Sequence, residues 1–137
     1  MQKQSSVKLT QLELKVMDVL WRLGQATVRE VKEGLHKSQS PAFTTVQTII
    51  RRLEQKGAVR QVKKVGNAIV FAPAITQRAA HSRLVNELLA FFGGSARKVL
   101  AHLIEAGKLQ MEDVREIQRM FDSENSDIEM RQRRKGS

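Results

Sequence analysis

The sequence predicts a mainly α-helical chain with one small β-hairpin. Three short helices and the hairpin form a first domain, and further helices form a second. Three observations predict it. Two hydroxyl-x-x-glutamate boxes each open an apolar stripe at helical spacing within the first 40 residues. A β-rich stretch broken at Gly66-Asn67 follows a third amphipathic helix. Beyond Pro73 only helical periodicity recurs, interrupted by glycines.

Thr10-Gln-Leu-Glu13 is the first box: the hydroxyl takes a first-turn amide, and the carboxylate reaches back to the cap. Behind it Leu12, Val16, Val19, Leu20 and Leu23 recur at intervals of three and four, and Gly24 can end the helix. That gives a helix from Gln11 to Leu23, with Trp21 read as a core residue. Thr27-Val-Arg-Glu30 opens a second, shorter helix that buries Val28, Val31 and Leu35. His36-Lys-Ser-Gln-Ser-Pro41 reads as a turn. A third helix spans Phe43 to Lys56, its stripe made of Phe43, Val46, Ile49, Ile50 and Leu53, with Gly57 behind it. The period then changes from helical to alternating. Runs 58–65 and 68–72 read as strands joined at Gly66-Asn67, and Pro73 closes the hairpin.

The remaining helices run from Gln77 to Phe92, Ala96 to Glu105 and Met111 to Phe121, separated by Gly93-Gly94 and Ala106-Gly107. The polar, charged stretch Ser123–Ser137 reads as a disordered tail, and its final Gly-Ser is compatible with a native end or an added remnant. The domains predicted are therefore 8–74, 75–122 and the tail 123–137.

Composition narrows the function. The 137 residues include no cysteine, which excludes disulfides, thiolate metal sites and cysteine catalysis. No window approaches the ~18 apolar residues of a membrane span. Met1-Gln-Lys-Gln-Ser-Ser leads into no apolar signal-peptide core, so a cytoplasmic location is expected. The net charge of +10 is unevenly placed. Residues 1–73 hold a surplus of +8, residues 74–130 stand at −2, and Arg131, Arg133, Arg134 and Lys135 add +4. A basic first half points to a polyanion, and a near-neutral second half to a different task.

Three helices followed by a two-stranded hairpin is the element order of a winged helix-turn-helix, in which the helix before the hairpin enters the major groove. The outward side of the third helix suits that place. Thr44, Thr45 and Thr48 offer a hydroxyl to a phosphate or base edge and a methyl to thymine. Gln47 matches the two hydrogen-bonding positions of adenine, and Arg51 and Arg52 are placed for phosphates. No acidic residue falls between Thr44 and Arg52, whereas a merely solvated helix mixes both signs. Lys63, Lys64 and Asn67 of the hairpin are placed for flanking backbone or minor groove. Paired lysines near a turn are also compatible with simple solvation.

Leu9-Thr-Gln-Leu-Glu13, Val16-Met17, Leu20-Trp21, Val28-Arg-Glu-Val31, Thr44-Thr-Val-Gln-Thr48, Arg52-Leu53, Lys56-Gly57 and Phe71-Ala-Pro73 occur in order. This series resembles the BlaI/MecI family, the bacterial penicillinase and methicillin-resistance repressors, over roughly Lys8 to Phe121. The resemblance implies a dimeric winged-helix repressor on a short palindromic operator. Thr45, Thr48 and Arg52 fall on the family's recognition-helix pattern, and Gln47 on its more variable position. Val65-Gly66-Asn67 departs from it, standing where an acidic residue, glycine and arginine are common.

Helices beyond residue 75 carry more apolar side chains than three short helices can bury among themselves. A second copy is the expected cover, through Leu88, Leu89, Phe92, Val99, Leu103, Val114, Ile117 and Phe121. In the penicillinase repressors, induction uses a sensor protease that cuts an Asn-Phe pair, and His102-Leu103 aligns there. Copper-responsive members use a C-terminal cysteine cluster, which this chain lacks, so the inducer stays open. No metal or other cofactor is expected, and no catalytic constellation is present: His36, His81 and His102 lie in separate elements without ligand spacing. Two other readings stay compatible with the elements, a winged helix used for protein–protein contact and an RNA-binding one. The low aromatic content and absence of tyrosine weigh against RNA stacking.

Overall fold

The computed structural model describes residues 7–36, 38 and 40–135. Lys37 and Gln39 of the expected turn, the first six residues and the final Gly136-Ser137 lie outside them. Among the described residues the elements follow the order α1 (Gln11–Leu23), α2 (Val28–Gly34), α3 (Phe43–Gln55), β1 (Val59–Val65), β2 (Ala68–Pro73), α4 (Gln77–Phe91), α5 (Ala96–Glu105) and α6 (Met111–Lys135). Two compact units divide the chain within α4, one ending at Glu87 and one starting at Leu88.

Both capping boxes form. Thr10 accepts from the Glu13 amide at 3.2 Å while Glu13 Oε1 accepts from the Thr10 amide at 2.8 Å. Thr27 and Glu30 repeat the exchange at 3.2 and 3.0 Å. Each box satisfies amides that the first turn would otherwise leave open. The short α2 can lie close to α1 because Gly34 has no side chain: a Cβ there would stand 2.6 Å from Val19 Cγ1.

The core of the first unit gathers Val16, Met17 and Leu20 of α1, Val31 of α2, and Val46, Ile50 and Leu53 of α3, all fully buried. Leu23 and Phe43, read as part of the apolar stripes, are instead exposed at 47% and 42%. Leu23 is the last residue of α1, and at 100° per residue Phe43 stands at the edge of the α3 stripe.

β1 and β2 pair antiparallel from Val59↔Pro73 to Val65↔Ala68, with an irregularity between Gln61 and Lys63. Gly66 supplies φ +61 at the turn, which the tight connection requires. Ala26, between α1 and α2, forms a bridge to Phe71 through hydrogen bonds of 2.9 and 2.8 Å. A single bridge thus ties the hairpin to the start of α2.

The first unit also extends beyond the expected boundary at residue 74. Ile75 and Ala80 are buried in its core, and Trp21 Nε1 donates to the Ile75 carbonyl at 3.0 Å. His81 meets the Trp21 ring edge-on at 6.1 Å. Trp21 therefore packs against the core and fastens the entry to α4 at once. Replacing Trp21 by Phe should cost about 1–2 kcal/mol, because the Ile75 carbonyl loses its donor while most of the packing stays. Urea unfolding monitored by far-UV circular dichroism reads this; an unchanged midpoint would remove the bond from the stability account.

In the second unit Ser95 caps α5 by accepting from the Lys98 amide at 3.2 Å, and Asp113 Oδ2 accepts from the Gln110 amide at 2.9 Å before α6. The disordered tail expected from Ser123 is corrected by α6, which continues to Lys135. The stretch is polar, but its residues favour a helix. No glycine or proline interrupts it, and Asp127 and Glu129 precede Arg131 and Arg133 by four residues. The basic residues then fall at the negative end of the helix dipole.

Candidate nucleic-acid interface

The α3 core stripe of Val46, Ile49, Ile50 and Leu53 fixes which side chains face outward. At 100° per residue the side opposite that stripe carries Thr44, Thr48, Arg51 and Gln55, all exposed. Thr45 and Arg52 lie together on one flank, also exposed. Gln47 lies on the other flank, half-buried and turned toward the hairpin. The six expected contact residues of α3 are therefore spread over three facets rather than one. Gln55, not among them, shares the outermost facet; the helical step from Thr48 would have placed it there.

Thr48 Oγ1 donates to the Thr44 carbonyl at 3.0 Å. Its proton is committed within the helix, so what it presents outward is its methyl and an acceptor oxygen. The N-terminus of α3 is open. Ala42 makes no side-chain cap and no acidic residue stands in the first turn, which leaves amide donors and the positive dipole end for an anion.

The hairpin separates its two lysines. Lys64 pairs with Ile69 and Lys63 with Val70, and adjacent strand residues point to opposite faces. Only one of them can share a facet with Ile69, which borders a groove against α3. That groove, about 660 Å³, lies between the first turn of α2, the Gln47 flank of α3 and the outer hairpin; Asn67 lies at its hairpin side. Arg29 of α2 also lines it. Arg29 in the first turn of α2 and Lys32 in its last turn were not singled out from the sequence. Lys32 Nζ donates to Ser40 Oγ at 3.3 Å across that connection.

The far end of α3 is anchored electrostatically. Lys56 Nζ donates to Glu13 Oε1 at 2.6 Å and to the Lys8 carbonyl at 3.0 Å. The Glu13 side chain is only 4% exposed. Burial pushes its carboxyl up, but the Lys56 ammonium and the Thr10 amide and hydroxyl outweigh burial and hold it below the usual carboxylate range. The first capping box thus also positions α3.

Among the described residues no group of three or more His, Cys, Asp and Glu side chains is arranged to hold a metal. No helix among them is long and apolar enough to cross a membrane. His36, His81 and His102 stay apart: His36 Nδ1 lies 2.7 Å from Ser38 Oγ, His81 meets Trp21, and His102 meets the Phe92 ring edge-on at 5.9 Å.

In the second unit the residues expected to meet a second copy are half-buried or exposed. Leu88 is 45%, Ile117 47% and Phe121 60% exposed, while Leu89, Phe92, Val99, Leu103 and Val114 are half-buried. No described residue of α5 or α6 is buried. His102-Leu103 lies inside α5, its backbone within the helical ladder.

The family model of the penicillinase repressor matches residues 9–123. The penicillinase repressor of Bacillus licheniformis is 27% identical over 120 residues, covering 84% of this chain and 90% of that protein. The transcriptional regulator BlaI of Mycobacterium tuberculosis is 36% identical over 101 residues, 72% of each chain. Among solved structures, the solution structure of the DNA-binding domain of the repressor BlaI shares 32% identity, covers 58% of this chain and 93% of that one, and superimposes with a TM-score of 0.48.

Proposed function

This chain belongs to the penicillinase repressor family of DNA-binding transcriptional repressors and is not an enzyme, and from that premise we propose that it acts in the cytoplasm as a homodimer on a palindromic operator. The observation that carries the proposal is the exposed side of α3. It is free of acidic residues from Thr44 to Arg52, and it belongs to the half of the chain with a charge surplus of +8. In this reading Thr44, Thr48, Arg51 and Gln55 enter the major groove, and Thr45 and Arg52 meet one bordering strand. Gln47 reaches a base edge from the hairpin side. Lys63, Lys64 and Asn67 meet flanking backbone. The apolar residues of the second unit meet their copies, so that two α3 helices reach two half-sites.

A footprint of the purified protein on the DNA upstream of its own gene, repeated across a salt titration, tests the proposal. A protected two-fold symmetric site that weakens steeply with salt supports it. Protection without symmetry, or none, would defeat it. Replacing Gln47 by Ala should weaken operator binding by about 1–2 kcal/mol and leave random-sequence binding nearly unchanged. Equal losses on both DNAs would remove Gln47 from base reading. Lys64→Ala should make the dependence of log affinity on log salt shallower by about one unit if its ammonium neutralises a phosphate. An unchanged slope in gel-shift titrations would take Lys64 off the DNA.

For induction, an asparagine-specific sensor protease would meet an imidazole at His102, with a different shape and donor pattern. The bond also sits within a helix, which must open locally before a protease can bind it extended. The reading favours release by another input. Co-expression with a sensor protease encoded beside the gene, followed by mass spectrometry, tests this. A fragment ending at His102 would overturn it.

A further inference from the structure

We propose that the groove between α3 and the hairpin binds a small amphipathic monocarboxylate, and that its occupancy excludes DNA. The competition with DNA rests on the reading above; the binding site itself does not. At about 660 Å³ the groove falls within the range of small-molecule sites. Its lining joins two chemistries. Phe43 and Ile69 leave 42% and 37% of their surface exposed here, beside Val28 and the buried Phe71. Arg29 and Arg51, both exposed, bring two guanidiniums against the single carboxylate of Glu54.

That combination selects its occupant. A DNA strand alone answers the charge but leaves the apolar lining wet, since phosphate and sugar gain little from Phe43 or Ile69. A compact acid with a flat or aliphatic body answers both. Its body covers the apolar residues, and its carboxylate, ionised at neutral pH, takes the paired donors of a guanidinium. The single positive charge left after Glu54 is counted matches one carboxylate. Gln47 adds an amide that can donate or accept.

Gln47 and Arg51 belong both to this groove and to the side of α3 assigned to DNA. Ligand and operator therefore compete for the same side chains, and each lowers the other's apparent affinity as its own concentration rises. This provides an inducing input that needs neither a cut at His102-Leu103 nor a cysteine-bound metal.

Naphthalene-1-carboxylate and its neutral relative naphthalene-1-methanol, titrated into the full chain by calorimetry, test the site without DNA. The acid should bind about tenfold more tightly than the alcohol. In Arg29→Gln the two should come within about twofold of each other. Ile69→Ser should weaken both by about tenfold through lost apolar cover, while its operator affinity without ligand stays unchanged. In anisotropy titrations the apparent operator Kd of the unmodified chain should rise in proportion to free acid. Silence at millimolar acid, equal binding of acid and alcohol, or unchanged affinity in Ile69→Ser would overturn the site. A ternary complex of protein, acid and operator would overturn the exclusion. Failure to bind DNA at all would sink the repressor reading, and the calorimetry would still decide the groove.

Discussion

A chain ending at Glu87 should be a folded monomer that binds a palindromic operator about 10²–10⁴-fold more weakly than the full chain. The first unit keeps its whole core when cut there, because the buried hydrophobic residues run from Val7 to Ala80 and none lies beyond Glu87 among the described residues. The second unit has the opposite character. No described residue of α5 or α6 is fully buried, and Leu88, Phe91, Leu100, Ile104, Ile117 and Phe121 are each at least 40% exposed. Apolar surface on this scale is what the proposed homodimer would cover, and its two-fold partner would bring a second α3 to the second half-site. Binding the first half-site then makes the second contact intramolecular, which is where the lost affinity resides. The position of the cut matters. Ending the chain at Pro73 would strip Ile75 and Ala80 from the core and the Ile75 carbonyl from Trp21, so that fragment should be far less stable. Sedimentation, thermal melting and anisotropy of the 1–87 fragment check each step. A dimeric fragment, or one with full operator affinity, would overturn the role given to the second unit.

What the sequence made legible was chiefly local. Each capping box is a hydroxyl and a carboxylate three residues apart, and both formed because that spacing is fixed by the first helical turn. The hairpin was legible from Gly66-Asn67 because few residues tolerate the turn. What escaped depends on contacts between elements. The Ala26–Phe71 bridge involves one residue pair and leaves no periodic trace. Ile75 and Ala80 follow the hairpin, and nothing in their spacing tells which core receives them. The length of α6 escaped because a polar, charged run carries no apolar stripe, although its residues favour a helix. The same limit holds for the interface. The acid-free run from Thr44 to Arg52 marks α3, but the division of its surface appears only when the buried stripe is known. The groove needs still more, since it exists only once the bridge at Phe71 sets the hairpin beside α2 and α3.

The other large effect concerns the pair that ties α1 to the end of α3. Lys56→Met should destabilise the protein by about 2–4 kcal/mol at neutral pH, the upper part of the range for a lost buried partner being lowered because Lys56 is 37% exposed. The carboxylate left behind is 4% exposed, and its Oε2 has no hydrogen-bond partner. Without the ammonium, the carboxylate keeps only its Thr10 contacts. Glu13→Gln should cost less, about 1–2 kcal/mol, since an amide oxygen can still accept from Thr10 and Lys56 can turn to water. Acid should tell the two cases apart by sign. In the unmodified protein the Glu13 carboxyl is held below its usual range. Its contribution is therefore fully present above the unfolded-state pKa and is lost as pH falls through the lower folded value. In Lys56→Met burial is opposed by Thr10 alone, so the carboxyl moves up from its place in the unmodified protein and acid costs the folded state less. The stability gap between the two proteins should then narrow as pH falls through the glutamate range, while the Glu13→Gln variant has no proton to take up at this position. Urea unfolding at neutral and mildly acidic pH measures both gaps. A Lys56→Met gap that is absent at neutral pH, or that widens in acid, would show that Glu13 does not depend on Lys56 to remain a buried anion.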